Sequence, residues 1–175
     1  MPADSPQGIE WPDEAQLWQW SLALYPLIKP LCLQWQDQYQ VNVNLLLLLL
    51  YLQRQQRQLT ASQLQQLCDA LLPQQQFTRQ LRQLRRQLPP YLTETAASPL
   101  KHSLLQAELC SERLEQRLLV QTLPQLSHHN LTTATATTLL LPLYLQHLQI
   151  PLTSALRQQM LDLDQSARQV SLTSR

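Results

Sequence analysis

A chain of 175 residues with 44% apolar and 14% charged side chains is the size of one ordinary domain and has enough apolar material for a core. Its single glycine, Gly8, excludes glycine-rich phosphate loops, the dinucleotide fingerprint and the nucleophile elbow, turns that need a residue without a Cβ. A formal net charge of +1 excludes a global attraction to nucleic acid or anionic membrane and leaves only local patches to weigh.

The 43 leucines and 30 glutamines are straight-chain helix formers, and β-branched residues are scarce outside one Thr-rich stretch. Helix is therefore expected throughout, and prolines supply the punctuation that glycine supplies elsewhere. A first helix is expected from Pro12 or Asp13 to Tyr25, burying Leu17, Trp18, Ser21, Leu22 and Tyr25, with Pro26 stopping it. Pro30 opens a second, from Leu31 to Tyr39, which presents Leu31, Cys32, Trp35 and Tyr39. Asn42 or Asn44 caps a third that runs to Arg57, and its unbroken apolar first half points to burial on every side.

Thr60 and Gln63 make a capping box for a helix from Ala61 to Leu72 with Leu64, Leu67, Cys68 and Leu71 inward. Pro73 ends it. Phe77, Leu81, Leu84 and Leu88, spaced 4, 3 and 4, mark the inward stripe of another helix, closed by Pro89 and Pro90. Tyr91 to Ser98 reads as a polar connection, and Ser98 caps a long helix with Pro99 at its first position that lasts to Leu123. Residues 125 to 138, with their Thr/Ala alternation, read as an exposed loop. A short helix at Leu139 to Leu148 and a last one from Thr153 to Leu163 complete the chain. The expected organisation is a flexible N-terminus at 1–11, one helical domain at 12–163 and a flexible tail at 164–175. The fold class is all-α, a compact orthogonal or bundle-like array of six to eight helices without a sheet.

Cys32, Cys68 and Cys110 lie in separate leucine-rich segments without CxxC spacing, so they read as small buried hydrophobes. The first ten residues lack a basic residue and an apolar stretch, unlike a secretory signal, so a reducing cytoplasm is expected. Leu45 to Leu52 would rise only about 12 Å as helix against a hydrocarbon layer of about 30 Å, so no membrane span is expected.

The segments Leu17-Trp18-Gln19-Trp20-Ser21-Leu22-Ala23-Leu24-Tyr25, Cys32-Leu33-Gln34-Trp35-Gln36-Asp37 and Val43-Asn44-Leu45-Leu46-Leu47 resemble the opening of a family of small proteobacterial conserved hypothetical proteins with a domain of unknown function. Leu81 to Arg86 resembles that family's arginine-rich segment and Ala107 to Arg113 its acidic helix, giving coverage from about residue 12 to 120. The family usually has glycine where Gln40 stands and aspartate where Asn42 stands. Asparagine caps a helix as well as aspartate but lacks the carboxylate, which favours a structural role at Asn42. The resemblance implies an all-helical cytoplasmic protein and no particular activity.

Among candidate chemical residues, Glu108, Glu112 and Glu115 fall within two turns of one helix, but no Glu-x-x-His motif accompanies them and they read as a solvated face. His128 and His129 are adjacent and would point about 100° apart on a helix, and His102 and His147 have no companion at ligand spacing, so no metal or other cofactor is expected. Ser98-Pro99-Leu100-Lys101 matches an SxxK pattern without the strand motif that goes with it, and Asn130-Leu131-Thr132 matches a glycosylation acceptor without a secretory context. Arg79, Arg82 and Arg86, flanked by Arg85, lie opposite the Phe77 stripe, and no acid occurs between Asp69 and Glu94. They form either a solvated face, paired with the acids of the long helix, or a site for an anionic partner such as RNA or DNA. The leading expectation is a non-enzymatic helical protein acting through a protein partner or self-association. One rival is an enzyme gathering Ser21, Tyr25, Cys32 and Asp37; another is nucleic-acid binding through the arginines. Trp18, Asn42 and Asn44 complete the motif residues, read as structural.

Overall fold

The computed structural model describes residues 11–89, 97–126 and 139–172. Six α-helices and no strand occur among them: α1 (Glu14–Tyr39), α2 (Val43–Arg54), α3 (Ala61–Arg86), α4 (Ala97–Thr122), α5 (Leu140–His147) and α6 (Ser154–Gln169), with a 3-10 turn at Leu123–Gln125 after α4. The expected all-α array is the observed fold. The connection at 91–96, the Thr/Ala stretch, His128, His129 and Asn130 lie outside the described residues, as do residues 1–10 and 173–175.

Three of the expected proline stops are not stops. Pro26 and Pro30 lie inside α1 and Pro73 inside α3. Each proline withholds an N–H from the carbonyl four residues back, and each of these three stands on an exposed face, where water can satisfy that carbonyl. The buried face of α1 runs across both prolines as Leu17, Trp20, Ser21, Leu24, Ile28, Cys32 and Trp35, so packing holds the helix together where local sequence would break it. That face is rotated from the expected one: Trp20 and Leu24 point inward, while Leu22 is exposed and Trp18 and Tyr25 are half-buried.

Side-chain caps mark the starts of four helices. Asp13 and Gln16 form a reciprocal capping box on α1, Thr60 and Gln63 do the same on α3, and the Thr153 hydroxyl accepts from the Leu156 N–H on α6. Asn42 is the cap of α2, its Oδ1 accepting from the Leu45 N–H at 2.8 Å. With one glycine in the chain, glutamine occupies the left-handed positions that glycine would take: Gln40, Gln56 and Gln149 have φ of 58°, 57° and 59°. Gln40 closes α1, its N–H donating to the Gln36 carbonyl.

The core is built around α2. Every residue from Asn44 to Leu52 is buried, as the unbroken apolar run predicts, with α1, α4, α5 and α6 packed around it. Trp20 and Tyr51 meet edge to face at 5.2 Å. The Trp35 Nε1–H donates to Gln159 at 2.7 Å, tying α1 to α6, and Gln53 links Asp164 of α6 to the first turn of α5. Trp11 packs against the core, and α6 continues six residues past the expected helix end at Leu163, with Ala167 fully buried.

Candidate functional site

At the N-terminus of α2 the fold collects buried polar side chains from four helices. Glu115 of α4 is 2% exposed, and its Oε2 accepts from the Asn42 amide at 2.9 Å and the Asn44 amide at 2.8 Å. Gln116 donates to Ser21 Oγ of α1 and to Asn44 Oδ1. The Asn42 backbone N–H donates to the Tyr144 hydroxyl of α5 at 2.9 Å, and burial raises that phenol well above its ordinary range. Two oxygens of this network, Glu115 Oε1 and Gln116 Oε1, are buried without a hydrogen-bond partner among the described residues. A buried acceptor left unmade is costly, so these atoms stand out.

Glu115 borders a cavity of about 400 Å³ whose wall also includes Asp37 from the end of α1, Asn42 and Asn44 from α2, Arg79, Arg82 and Arg86 from α3, and Glu112 from α4. The six charged groups on that wall balance, three acids against three arginines. Arg82 donates to Glu112 at 2.9 Å, and both are partly shielded. Burial pushes the Glu112 carboxyl above its ordinary range while Arg82 pulls it down.

Towards its far end, the α3–α4 pair reverses the expected pattern. The two helices run antiparallel, joined by Gln74 and Thr78 to Ser111, Arg82 to Glu112 and Arg85 to Glu108. Glu108 is buried and held by two guanidinium nitrogens of Arg85, Nε and Nη2, and the bond raises the Arg85 pKa. The acids expected on a solvated face therefore point between the helices. The stripe expected inward is turned partly out: Phe77 is 52% and Leu84 54% exposed, while Leu81 and Leu88 are half-buried. On α4 the positions Leu100, Leu104, Ala107, Ser111, Leu114 and Leu118 repeat at 4, 3, 4, 3 and 4, with Leu100 and Leu114 exposed. Ser111 is itself buried in the seam between the helices, bonded to Gln74 and Thr78, and Leu104, Ala107 and Leu118 are half-buried.

The arginines thus divide. Arg82 and Arg85 are committed to Glu112 and Glu108, while Arg79 and Arg86 stay exposed beside the cavity. The residues of the enzymatic rival all lie on α1, in different surroundings. Ser21 is bound by Gln116, Cys32 is fully buried in the core with its thiol pushed up to about 12 by burial, Tyr25 is half-buried, and Asp37 is exposed at the cavity. Cys68 is half-buried with its thiol raised to about 11, and Cys110 is exposed, contrary to the expectation that all three cysteines are buried. Trp18 lies under Arg113, whose guanidinium carbon is 5.2 Å from the ring centroid. Among the described residues no three His, Cys, Asp or Glu side chains could hold a metal ion, and no helix is long and apolar enough to cross a membrane.

Sequence reasoning found Asn42, Asn44 and the arginines but missed the burial of Glu115 and Gln116. The complementary 3- and 4-residue spacing of arginines on one helix and acids on the next signals the pairs Arg82–Glu112 and Arg85–Glu108, and no such signal marks Glu115 or Gln116.

Fold and site together define an all-helical protein with a polar centre buried beneath its longest helices. Residues 16–119 match the family model described as Protein of unknown function (DUF2390), and the chain belongs to that family. Comparison with curated proteins and with solved structures found no match.

Proposed function

We propose that this is a non-enzymatic cytoplasmic protein that works through protein contacts, and that the contact is made by the apolar face of the α3–α4 hairpin with a second copy of the chain. The observation that carries the reading is the exposure of Phe77 and Leu84 on α3 and of Leu100 and Leu114 on α4, the helix paired with it. Neither strip carries a charged residue from Phe77 to Leu88 at its 4, 3, 4 positions or from Leu100 to Leu118 at its own. An isologous contact sets each surface against itself and doubles any net charge there, so a neutral face suits a second copy. Two antiparallel hairpins joined by such strips make a four-helix bundle. Three free cysteines support the cytoplasmic setting.

Pairing of Arg82 and Arg85 with acids leaves the nucleic-acid reading only Arg79 and Arg86, which is why it is not preferred. Sedimentation equilibrium over a range of concentrations tests the proposal. Wild type is expected to form a dimer, and the double variant Leu81→Gln/Leu84→Gln a monomer with unchanged helix content. A wild type that stays monomeric up to its solubility limit, or a variant that dimerises as well as wild type, overturns it.

A further inference from the structure

A second cavity, of about 880 Å³, is built among the described residues without any part of α3 or α4, from the end of α2, the start of α5 and α6. On α6 its wall is Arg157, Met160, Leu161, Asp164 and Arg168, whose spacing of 3, 1, 3 and 4 puts them on one face of the helix. Arg54 and Arg57 join it from the end of α2 and the turn after it. The charge on this wall does not balance. Asp164 is the one acid there among the described residues, and both of its oxygens are taken, Oδ1 by the Gln53 amide at 2.8 Å and Oδ2 by Arg168 at 2.8 Å. Arg54 and Arg157 meet no acid among the described residues. Residues 127–138, which lead into Leu139, contain no acid either. The rest of the wall is largely aliphatic: Leu139 is 51% and Leu161 62% exposed, and Pro142 and Met160 are half-buried.

An inorganic anion would answer the arginines and leave the leucines in water, and a neutral apolar molecule would do the reverse. No aromatic ring lines the cavity among the described residues, so nothing there stacks a nucleobase. We propose that the cavity binds a single-chain aliphatic anion, its carboxylate or phosphate head received by guanidinium groups not paired with Asp164, Arg54 and Arg157 foremost, and its hydrocarbon chain covering Leu139, Met160 and Leu161. The head makes a charge-assisted contact suited to the planar fork of arginine, and each methylene laid on an exposed leucine leaves water. A volume of about 880 Å³ with an apolar wall and a few convergent polar groups lies within the range of pockets for organic ligands. Sharing no residue with the α3–α4 face, this site stands or falls separately from the dimer.

The test is titration calorimetry of the full chain with octanoate, octyl phosphate, octanol and butyrate, each below the concentration at which it forms micelles. Octanoate or octyl phosphate is expected to bind, the stronger of the two telling a free acid from a phosphate monoester. Octanol, which lacks the charge, and butyrate, which lacks the chain, are each expected to be weaker by about tenfold or more. In Arg54→Gln/Arg157→Gln the anion is expected to weaken to about the level of octanol, while octanol itself is unchanged because it never made the contact. Should that double variant fail to fold, Arg157→Gln, at an exposed position of α6, is expected to show part of the same loss. Leu139→Gln/Leu161→Gln, at two exposed positions, is expected to lose the preference over butyrate. The proposal is overturned if neither long-chain anion binds at about 1 mM, a concentration at which even millimolar affinity is measurable. Octanol binding as tightly as octanoate, or arginine variants that bind the anion as well as wild type, also overturns it. So does binding to vesicles of anionic phospholipid without binding of either soluble anion, which would assign the patch to a membrane surface.

Discussion

Two stretches of this chain carry unmistakable apolar patterns and put them to opposite uses. In α2 the run from Leu45 to Leu52 is buried on every side, and the helix serves as the post around which four others pack. In the outer half of α3 the Phe77 stripe is the cleaner helical repeat of the two, yet it turns partly away from its own domain while arginines and glutamates meet inside the hairpin. Periodicity says that a face will be covered. It does not say whether the cover comes from the same chain.

The comparison breaks most sharply under truncation. Leu48→Ala in the centre of α2 should cost about 2–5 kcal/mol in urea unfolding, from lost burial and the cavity left behind, whereas Phe77→Ala in dilute protein should stay within about 0.5 kcal/mol of wild type. A large loss from the Phe77 change in the monomer would mean that the stripe is covered within the chain. Next in size is the hairpin's interior. Arg85→Gln removes charge-assisted bonds to the buried Glu108 and should cost about 1.5–3 kcal/mol, and exchanging both partners for apolar residues of similar volume should recover much of that. If the single change is neutral, the pair contributes nothing to the hairpin.

Smaller again is the junction between α1 and α2. Gln40→Gly places at φ 58° the residue that adopts it without a Cβ clash and should stabilise by about 0.5–1 kcal/mol, read as a higher denaturation midpoint at unchanged slope. No change in midpoint would show that the left-handed turn carries no strain. The smallest effect concerns pH. Burial raises the Glu112 carboxyl above its ordinary value, so its contribution is full below that value and is lost as pH climbs through the raised one. The stability of wild type relative to Glu112→Gln should therefore fall as pH rises across the acid range; a rise would mean that Arg82 outweighs burial.

Much of the fold was legible in the sequence because its signals are local. Thr60 with Gln63, Asn42 and Thr153 each announce a helix start through a side chain that reaches three residues forward. The prolines misled for the same reason. A local rule ends a helix at Pro26, and only the tertiary fact that Pro26, Pro30 and Pro73 all face solvent lets the helices pass through. The candidate site was half legible. Asn42 and Asn44 stood out, but what they bind is Glu115, more than seventy residues away, and no spacing rule connects them. Glu115 and Gln116 have the composition of a surface helix and became interior because α4 passes across the start of α2.

Hydrogen exchange measured at high and at low protein concentration tests the central claim most directly, since it reads the two regions in one experiment. Protection in α2 should be independent of concentration. Protection at residues 74–88 of α3 and 99–118 of α4 should be high in concentrated protein and fall on dilution as the two copies part. Protection of the hairpin that is the same at every concentration, or a concentration dependence that appears in other helices instead, would contradict the assignment of the Phe77 and Leu84 face to a second copy of the chain.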